Sequence, residues 1–196
     1  MTAVASHVVH NRTKFNRLGL WLFLITEVAM FGSFLVMRFY YWGNTRPDLD
    51  QTIGLIVTSV LLISSFFMNR AEVAIAHNDR LNYFVSLLIT GALGTAFLLG
   101  VVFIEWGLAL PPAERHLTPQ SGLFGSILFL MTGMHALHVL TGLIFILAII
   151  IKGLRNKYTA ESHWAVEFTA IYWHFVDVVW VFFYPALYLI GHATHV

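Results

Sequence analysis

The sequence predicts an all-α polytopic membrane protein whose five transmembrane helices form one bundle. Two observations lead to this fold class. Of the 196 residues, 58% are hydrophobic and only 11% are charged, whereas about 25% of the residues of an average soluble domain are charged. In addition, five runs approach or exceed the roughly 20 apolar residues that a helix needs to cross a bilayer core about 30 Å thick. They cover residues 18–41, 52–68, 81–104, 122–151 and 168–190.

The first run follows a basic tail, residues 1–17, that superficially resembles a signal peptide. Arg12, Lys14 and Arg17 precede the apolar stretch. That stretch is longer than the core of a signal peptide, which has about 7–15 residues, and no small-residue cleavage site follows it. We therefore expect a retained first helix, a single membrane domain over residues 18–191, and a short tail of residues 192–196 outside the membrane.

The other four runs differ in length and are joined by short connections. The second run is near the short limit for a span, and the fourth is long enough to be tilted or to project from the bilayer. Turn-forming residues mark the connections: Gly43, Asn44 and Pro47, then Asn78 and Asp79, then Pro111, Pro112 and Pro119. No connection is long enough to hold a soluble domain, and the sequence shows no internal repeat.

The distribution of Lys and Arg predicts the orientation. Eight of these residues lie in the N-terminal tail, in residues 69–80 and in residues 152–167, whereas only Arg38, Arg46 and Arg115 belong to the other side. Because cytoplasmic loops carry an excess of Lys and Arg, the N-terminus is expected in the cytoplasm and the C-terminus outside. The net charge of +1 gives no reason to expect a nucleic-acid partner.

The chain has no cysteine. This excludes disulfides, thiolate metal sites, iron–sulfur clusters and thioether-attached haem. Any metal site would have to use the ten histidines and ten carboxylates.

Three ionisable residues are expected inside the membrane at a similar depth. Glu27 lies nine residues into the first run, about 13 Å from its cytoplasmic end. A carboxylate at that depth must be protonated, paired or facing water. His174 and Asp177 are three residues apart and therefore share a face of the fifth helix. We expect these three side chains to form one polar cluster, which either carries protons or ties helices together.

His135 and His138 are also three residues apart, on the fourth helix. Neutral imidazole is a common haem or metal ligand, and His174 would be a possible partner. Counting along the helix, however, places the pair about 20–24 Å from the cytoplasmic end, above His174. Hydrogen bonding between helices is therefore the favoured interpretation.

Three stretches are similar to subunit III of the haem–copper respiratory oxidases, the cytochrome c oxidase type. They are LFLITEVAMFGSF at residues 22–34, GMHALHVLTG at 133–142 and EFTAIYWHFVDVVW at 167–180. The YWHFVDVVW string is highly specific, and the similarity runs in order over residues 18–191. Glu27 matches the family's buried glutamate, His135 and His138 match its G-x-H-x-L-H-V motif, and Glu167, His174 and Asp177 match its E…YWHFVD motif.

The resemblance implies a non-catalytic core subunit of a proton-pumping cytochrome c or quinol oxidase, which reduces oxygen to water in aerobic respiration. Such a subunit binds no haem or copper itself, since these lie in partner subunits. It packs directly against catalytic subunit I within a complex that includes subunit II. It also holds phospholipid, supports proton uptake and prolongs the working life of the enzyme. The implied location is a bacterial-type respiratory membrane, the inner or plasma membrane of the cell.

One departure concerns the helix number, because many family members have seven helices and this sequence matches the last five. In the longer members the first two helices enclose a lipid-filled cleft, so a closed lipid site is not implied here. Five-helix members exist and some belong to quinol oxidases, so the electron donor is left open.

Two other functions fit parts of the sequence. A membrane anchor for haem b would place the haem between His138 and His174, which requires two histidines at matched depth. A small proton-coupled transporter built around Glu27 would require an inverted repeat or broken helices near the midplane, and the sequence shows neither.

Overall fold

The computed structural model describes residues 2–106 and 118–194, so Pro111, Pro112, Arg115 and the last two residues of the predicted tail lie outside the described residues. Five long helices dominate it: α1 (Thr2–Trp42), α2 (Gln51–Ala76), α3 (Arg80–Leu99), α4 (Gly122–Leu154) and α5 (Trp164–Tyr184). All five are long and apolar enough to cross a membrane. The predicted fold class, an all-α protein with five transmembrane helices, is confirmed.

Several helices extend beyond the apolar runs that predicted them. Helix α1 has 41 residues and α4 has 33, which corresponds to about 60 Å and 50 Å at the standard rise. Helix α2 continues through Arg70 and Glu72 to Ala76, so most of the connection predicted at residues 69–80 is helical. A helix tolerates these polar residues because its ends reach the headgroup region, where charged side chains meet water.

Aspartates begin two of the helices. Asp50 caps α2 by accepting hydrogen bonds from the backbone amides of Thr52 and Ile53 at 2.8 and 3.1 Å. Asp79 caps α3 by accepting from the amide of Asn82 at 3.1 Å. Such caps satisfy amide groups that have no partner within the first turn of a helix.

Two helices end in a wider π-helical turn, at Gly100–Glu105 after α3 and at Pro185–Leu189 after α5. Beyond the second of these lies a short strand, β2 (His192–Thr194), which pairs in parallel with β1 (Thr45–Pro47). The connection between α1 and α2 therefore lies beside the C-terminal segment, at one end of the bundle. At the other end, the α2–α3 turn contacts the α4–α5 connection, where Asn78 accepts a hydrogen bond from the amide of Ala160 at 3.3 Å.

Helix α5 has a central place in the bundle, since it contacts α1, α2 and α4 and is the most buried of the five helices. Its Trp173 is fully buried and lies against glycines of two neighbouring helices. A methyl group added to Gly94 on α3 would come within 2.5 Å of the Trp173 ring, and one added to Gly142 on α4 within 2.7 Å. Both glycines are therefore required for α3 and α4 to approach the indole this closely.

Candidate functional site

Glu27 of α1 is hydrogen-bonded to His138 of α4. The distance from Glu27 Oε2 to His138 Nε2 is 3.1 Å, and each side chain is 15% exposed. The second nitrogen of the imidazole, Nδ1, donates to the backbone oxygen of Met134 at 2.8 Å. Phe31 of α1 packs edge-on against the imidazole, with ring centroids 4.9 Å apart. The structure thus joins two predicted site residues that sequence counting had placed at different depths.

The Glu27–His138 pair lies on the wall of a cleft between α1, α4 and α5, which we call the α1 cleft. Its volume is about 450 Å³, and apart from Glu27 and His138 it is lined by small, aliphatic, aromatic and hydroxyl side chains: Gly19, Leu20, Phe23, Thr141, Phe145, Phe168 and Tyr172. The Tyr172 hydroxyl donates to the backbone oxygen of His138 at 3.2 Å. One acid–imidazole pair therefore faces an otherwise mostly apolar space.

His174 does not bond Glu27, which corrects the expectation of a single cluster. Its Nδ1 is 2.6 Å from the hydroxyl of Ser65 on α2, so the imidazole is directed towards a different helix. Ser65 did not emerge from the sequence as a site residue. The sequence signal was weak, because adjacent Ser64 and Ser65 are one of two hydroxyl pairs in this span, the other being Thr58 and Ser59.

Asp177 lies one turn beyond His174 and is only 3% exposed. Its carboxyl group interacts with the hydroxyl of Ser65, the same hydroxyl that contacts His174, although neither carboxyl oxygen meets strict hydrogen-bond geometry with a described residue. It is therefore a second buried acid, separate from Glu27, in the region where α5 packs against α2.

His135 is fully buried, but its contacts are aromatic. Its ring lies 4.8 Å from that of Trp180 and 5.6 Å from that of Phe97, measured between centroids. Neither ring nitrogen has a hydrogen-bond partner among the described residues. The hydrogen bond between helices that was expected for His135 is thus replaced by ring packing, which uses the imidazole as a flat, largely apolar group.

Glu167 is at the N-terminal end of α5, away from Glu27 and Asp177 but close enough to Glu72 of α2 for the two carboxylates to repel each other. Its Oε2 accepts from the Arg17 guanidinium of α1 at 2.9 Å, and its Oε1 is 3.6 Å from Nε2 of His163. The Arg17 guanidinium also lies 5.7 Å from the centre of the Trp164 ring. Glu167 therefore ties the beginning of α5 to α1.

Arg38 of α1 was counted in the sequence only as a charge, but it organises the opposite end of the bundle. It is fully buried and donates to backbone oxygens of Ala186 at 2.6 Å and Gly43 at 3.0 Å, and also to those of Thr45 and Ile190. The guanidinium thereby holds the C-terminal end of α5 and the α1–α2 connection together. Sequence offers no sign of this role, because the acceptors are carbonyl groups that every residue has.

A haem between His138 and His174 does not fit these contacts. Both nitrogens of His138 are hydrogen-bonded, so neither is available to an iron. Apart from haem, residues 2–106 and 118–194 contain no group of three or more His, Asp or Glu placed to hold a metal ion.

The protein is a polytopic helical membrane protein. Its helices are joined by contacts between acids and histidines and between an arginine and carbonyl groups, so protonatable groups lie between them. Comparison with known proteins narrows this class. The family model described as cytochrome c oxidase subunit III matches residues 2–192. The chain belongs to this family and is therefore a subunit of a terminal oxidase complex.

Individual relatives agree with this assignment. The chain is 33% identical to cytochrome c oxidase subunit 3 of Thermostichus vulcanus over 198 residues, which cover 96% of this chain and 94% of the relative. It is 33% identical to the Synechocystis protein of the same name, covering 94% and 80%. It is 34% identical to that of Loxodonta africana, covering 89% of this chain and 69% of the relative.

Proposed function

We propose that this chain is a non-catalytic subunit that stabilises the catalytic subunit I of the oxidase and supports proton uptake by it. The observation that carries this proposal is a pair of carboxylate–imidazole contacts at two levels of α1. Glu167 and His163 lie level with Arg17, and Glu27 and His138 lie ten residues further along α1, about 15 Å deeper by helical rise. A carboxyl group and an imidazole in contact can each donate or accept a proton, so both levels suit a role in proton supply.

The proposed orientation places the N-terminus and the Arg17–Glu167 contact on the cytoplasmic side of a bacterial-type respiratory membrane. The eight-to-three distribution of Lys and Arg supports it. Because the chain has no native cysteine, single cysteines can be labelled without background. Cysteines replacing Asn44 and Thr194 should react with an impermeant thiol reagent in intact cells, and those replacing Thr13 and Asn156 should react only after lysis. The reverse pattern would refute the orientation.

Lipid binding is proposed for a second groove, between α1 and α5. It has a volume of about 260 Å³, and its lining is entirely apolar: Val28, Phe31, Gly32, Leu35, Phe175, Val178, Val179, Phe182 and Phe183. Such a groove suits an acyl chain of a phospholipid, since it offers no polar partner to anything else. Delipidation of the complex should therefore loosen α1 from the bundle, which crosslinking of cysteines at Val28 and Val178 would detect as a lower yield.

The proposed role in proton supply is tested by comparing the oxidase complex with and without this chain. Removal should leave the haem spectrum and the first turnovers intact. Steady-state oxygen consumption should then fall most at high pH, where protons are scarce, and activity should be lost earlier during continuous turnover. Loss of haem on removal would mean that the chain holds the cofactor, and the proposal would be wrong.

Variants separate proton transfer from packing. Glu27→Gln can keep the hydrogen bond to His138, because the amide donates to a neutral imidazole, but it cannot release a proton. If Glu27 relays protons, Glu27→Gln should lower turnover at high pH without reducing the thermal stability of the complex. Ser65→Ala provides the corresponding test for His174 and Asp177, because both interact with the Ser65 hydroxyl. An unchanged pH profile in Glu27→Gln would assign Glu27 to packing alone.

A further inference from the structure

The hydrogen bonds around His138 fix how many protons the Glu27–His138 pair holds. A backbone oxygen can only accept, so Nδ1 must carry a proton to donate to Met134. The contact between Nε2 and Glu27 Oε2 then requires one further proton, on either the carboxyl or the imidazole. Both arrangements, acid with neutral imidazole or carboxylate with imidazolium, have zero net charge. The wall of the α1 cleft is therefore electrically neutral at this point.

The second carboxyl oxygen, Oε1, has no hydrogen-bond donor among the described residues, although Glu27 lines the cleft. In both proton arrangements Oε1 bears lone pairs and no hydrogen. A ligand that satisfies it must donate a hydrogen bond. The neighbouring hydroxyls are not free to do so, since Thr141 donates to the Leu137 carbonyl at 2.9 Å and Tyr172 to that of His138 at 3.2 Å.

Charged groups near the pair argue against an anionic ligand. Arg17 lies ten residues away along α1 and is paired with Glu167, while Arg38 is eleven residues away in the other direction and bonds carbonyl groups. On α4, His135 is packed against Trp180, and on α5 the titratable neighbour is Tyr172. A phosphate at this depth would meet a carboxyl oxygen and, among the described residues that line the cleft, no Lys or Arg, which is unfavourable in an apolar space.

The aromatic side chains that line the α1 cleft favour a ligand with an aromatic head group. Four of the side chains that line the cleft are aromatic, namely Phe23, Phe145, Phe168 and Tyr172. Phe23 and Tyr172 are nearly parallel, at 19° and 6.5 Å between centroids. Phe145 meets Tyr172 edge-on at 5.2 Å. A further ring gains from stacked or edge-on contacts with such walls.

We propose that the α1 cleft binds an uncharged amphiphile whose aromatic hydroxyl donates to Glu27 Oε1, such as an alkylphenol or a quinol. This inference concerns binding only and does not depend on the proposed role in proton supply. It assigns the cleft a ligand chemistry distinct from that of the apolar groove between α1 and α5.

Equilibrium dialysis of the complete oxidase complex in detergent tests the proposal with 4-decylphenol as the probe. Binding should be saturable, and about five- to tenfold weaker for the methyl ether 4-decylanisole, which lacks the donor. Decyl phosphate and the decyl ether of glycerol should both bind more weakly than the phenol. Equal affinities for 4-decylphenol and 4-decylanisole would mean that no hydrogen bond to Glu27 Oε1 contributes to binding. If decyl phosphate or the glycerol ether binds more tightly than 4-decylphenol, the ligand of the cleft is a lipid and the proposal is wrong. Absence of any binding of 4-decylphenol would also overturn it.

Two glycines of α1 provide a matched pair of variants. Gly19 lines the α1 cleft and Gly32 the apolar groove, and a methyl group on either meets no atom within 4 Å. Leucine is also a better helix former than glycine. Gly19→Leu should abolish binding of 4-decylphenol, whereas Gly32→Leu should leave it unchanged. Identical affinities in the two variants would place the probe elsewhere in the complex.

A second pair of variants, at Glu27, tests the proposal even if the glycine variants fail to assemble into the complex. Glu27→Gln keeps an acceptor oxygen and should retain the probe, while Glu27→Met removes it and should weaken binding about five- to tenfold. If Glu27→Met binds the phenol as well as the wild type, the hydroxyl does not bond Oε1 and the proposal fails.

Discussion

Helix α5 packs against α2 and against α1 in two different ways. Along the α2 side, indole groups donate to hydroxyls within a tightly packed interface, with Trp173 bonded to Ser64 at 3.0 Å and Trp180 to Thr58 at 2.9 Å. The ionisable His174 and Asp177 lie on this side too, but both interact with the hydroxyl of Ser65. Helix α1 is instead held by separated ionisable side chains, with Arg17, Glu27 and Arg38 spaced along its length. Grooves open on α1 between these contacts.

Helices α5 and α1 also differ in how much of each is buried. In the most apolar window of α5, 56% of the residues are buried, against 17% in that of α1. Without a hydrophobic driving force between helices in lipid, close packing and hydrogen bonds hold a bundle together. The α2–α5 interface has both, whereas α1 depends mainly on a few polar contacts. We infer that α2 to α5 form the stable part of the bundle and that α1 is the helix that ligands, lipids or partners can displace.

The largest expected effect is at Trp173, in the close-packed part. Trp173→Ala leaves a cavity between Gly94 and Gly142 and removes the bond to Ser64, so it should lower the free energy of unfolding by about 3–5 kcal/mol. Thermal unfolding in detergent, followed by circular dichroism, measures this. Trp21→Ala is the control, because Trp21 is 57% exposed on α1 and its loss should change the stability little. Similar losses of stability in Trp173→Ala and Trp21→Ala would contradict the distinction between a close-packed α2–α5 part and a loosely held α1.

Arg38 tests the contact of α1 that has the most hydrogen bonds. Arg38→Met has a similar length but leaves buried carbonyl groups without a donor, at a cost of about 1–3 kcal/mol. The C-terminal strand should then detach from β1. A cysteine replacing Thr194 should react faster with a thiol reagent in this variant, while one replacing Asn156 at the other end should react at the original rate. Equal acceleration at both positions would indicate general unfolding instead of local release.

A smaller loss of stability is expected at Glu27, and its size in Glu27→Gln depends on where the shared proton lies. Glu27→Leu should cost about 0.6–1.7 kcal/mol, from the average to the maximum measured for hydrogen bonds between membrane helices. Glu27→Gln should cost almost nothing if the pair is neutral, and about as much as Glu27→Leu if it is ionic. Thermal unfolding of the two variants measures both. An infrared band of a protonated carboxyl that disappears in Glu27→Gln would independently establish the neutral form.

The sequence could predict those features of the structure that depend on residues close together in the chain. Apolar length is a local property, and it predicted five helices, although α2 continues eight residues past its apolar run. Depth along a helix is also local, which is why Glu27, His174 and Asp177 were expected together. The direction in which a side chain points depends on the neighbouring helices. His174 meets Ser65 on α2, whereas Glu27 meets His138 on α4, and no spacing within one helix could have separated them.

Contacts made through the backbone were equally inaccessible. The pairing of Thr45–Pro47 with His192–Thr194 joins segments almost 150 residues apart through groups that are present in every residue. Arg38 likewise bonds carbonyl oxygens, so no complementary side chain marks its role. The identity of the family, in contrast, was accessible because strings such as YWHFVDVVW are specific by themselves.

The smallest effect concerns Asp79, in the turn between α2 and α3. Hydrogen bonds from the side chain and then the backbone amide of Asn82 lower the pKa of this carboxyl, with a further contribution from the charge of Arg70. A carboxyl with a lowered pKa stabilises the folded state above its unfolded pKa of about 3.9, and this contribution is lost as the pH falls through the folded value. Stability of α3 should therefore decline below about pH 4, where protonated Asp79 accepts these bonds less well.

Asp79→Asn isolates this contribution, because asparagine is an equally good cap but does not titrate in this range. The variant should match the wild type at pH 7 and lose less stability between pH 5 and pH 3. Asp79→Ala should be less stable than both at pH 7, since it leaves the amide of Asn82 without its acceptor. Thermal unfolding of the three proteins across this pH range is the measurement. If the wild type and Asp79→Asn decline in parallel, the acid sensitivity arises from other carboxylates and the cap does not depend on the charge of Asp79.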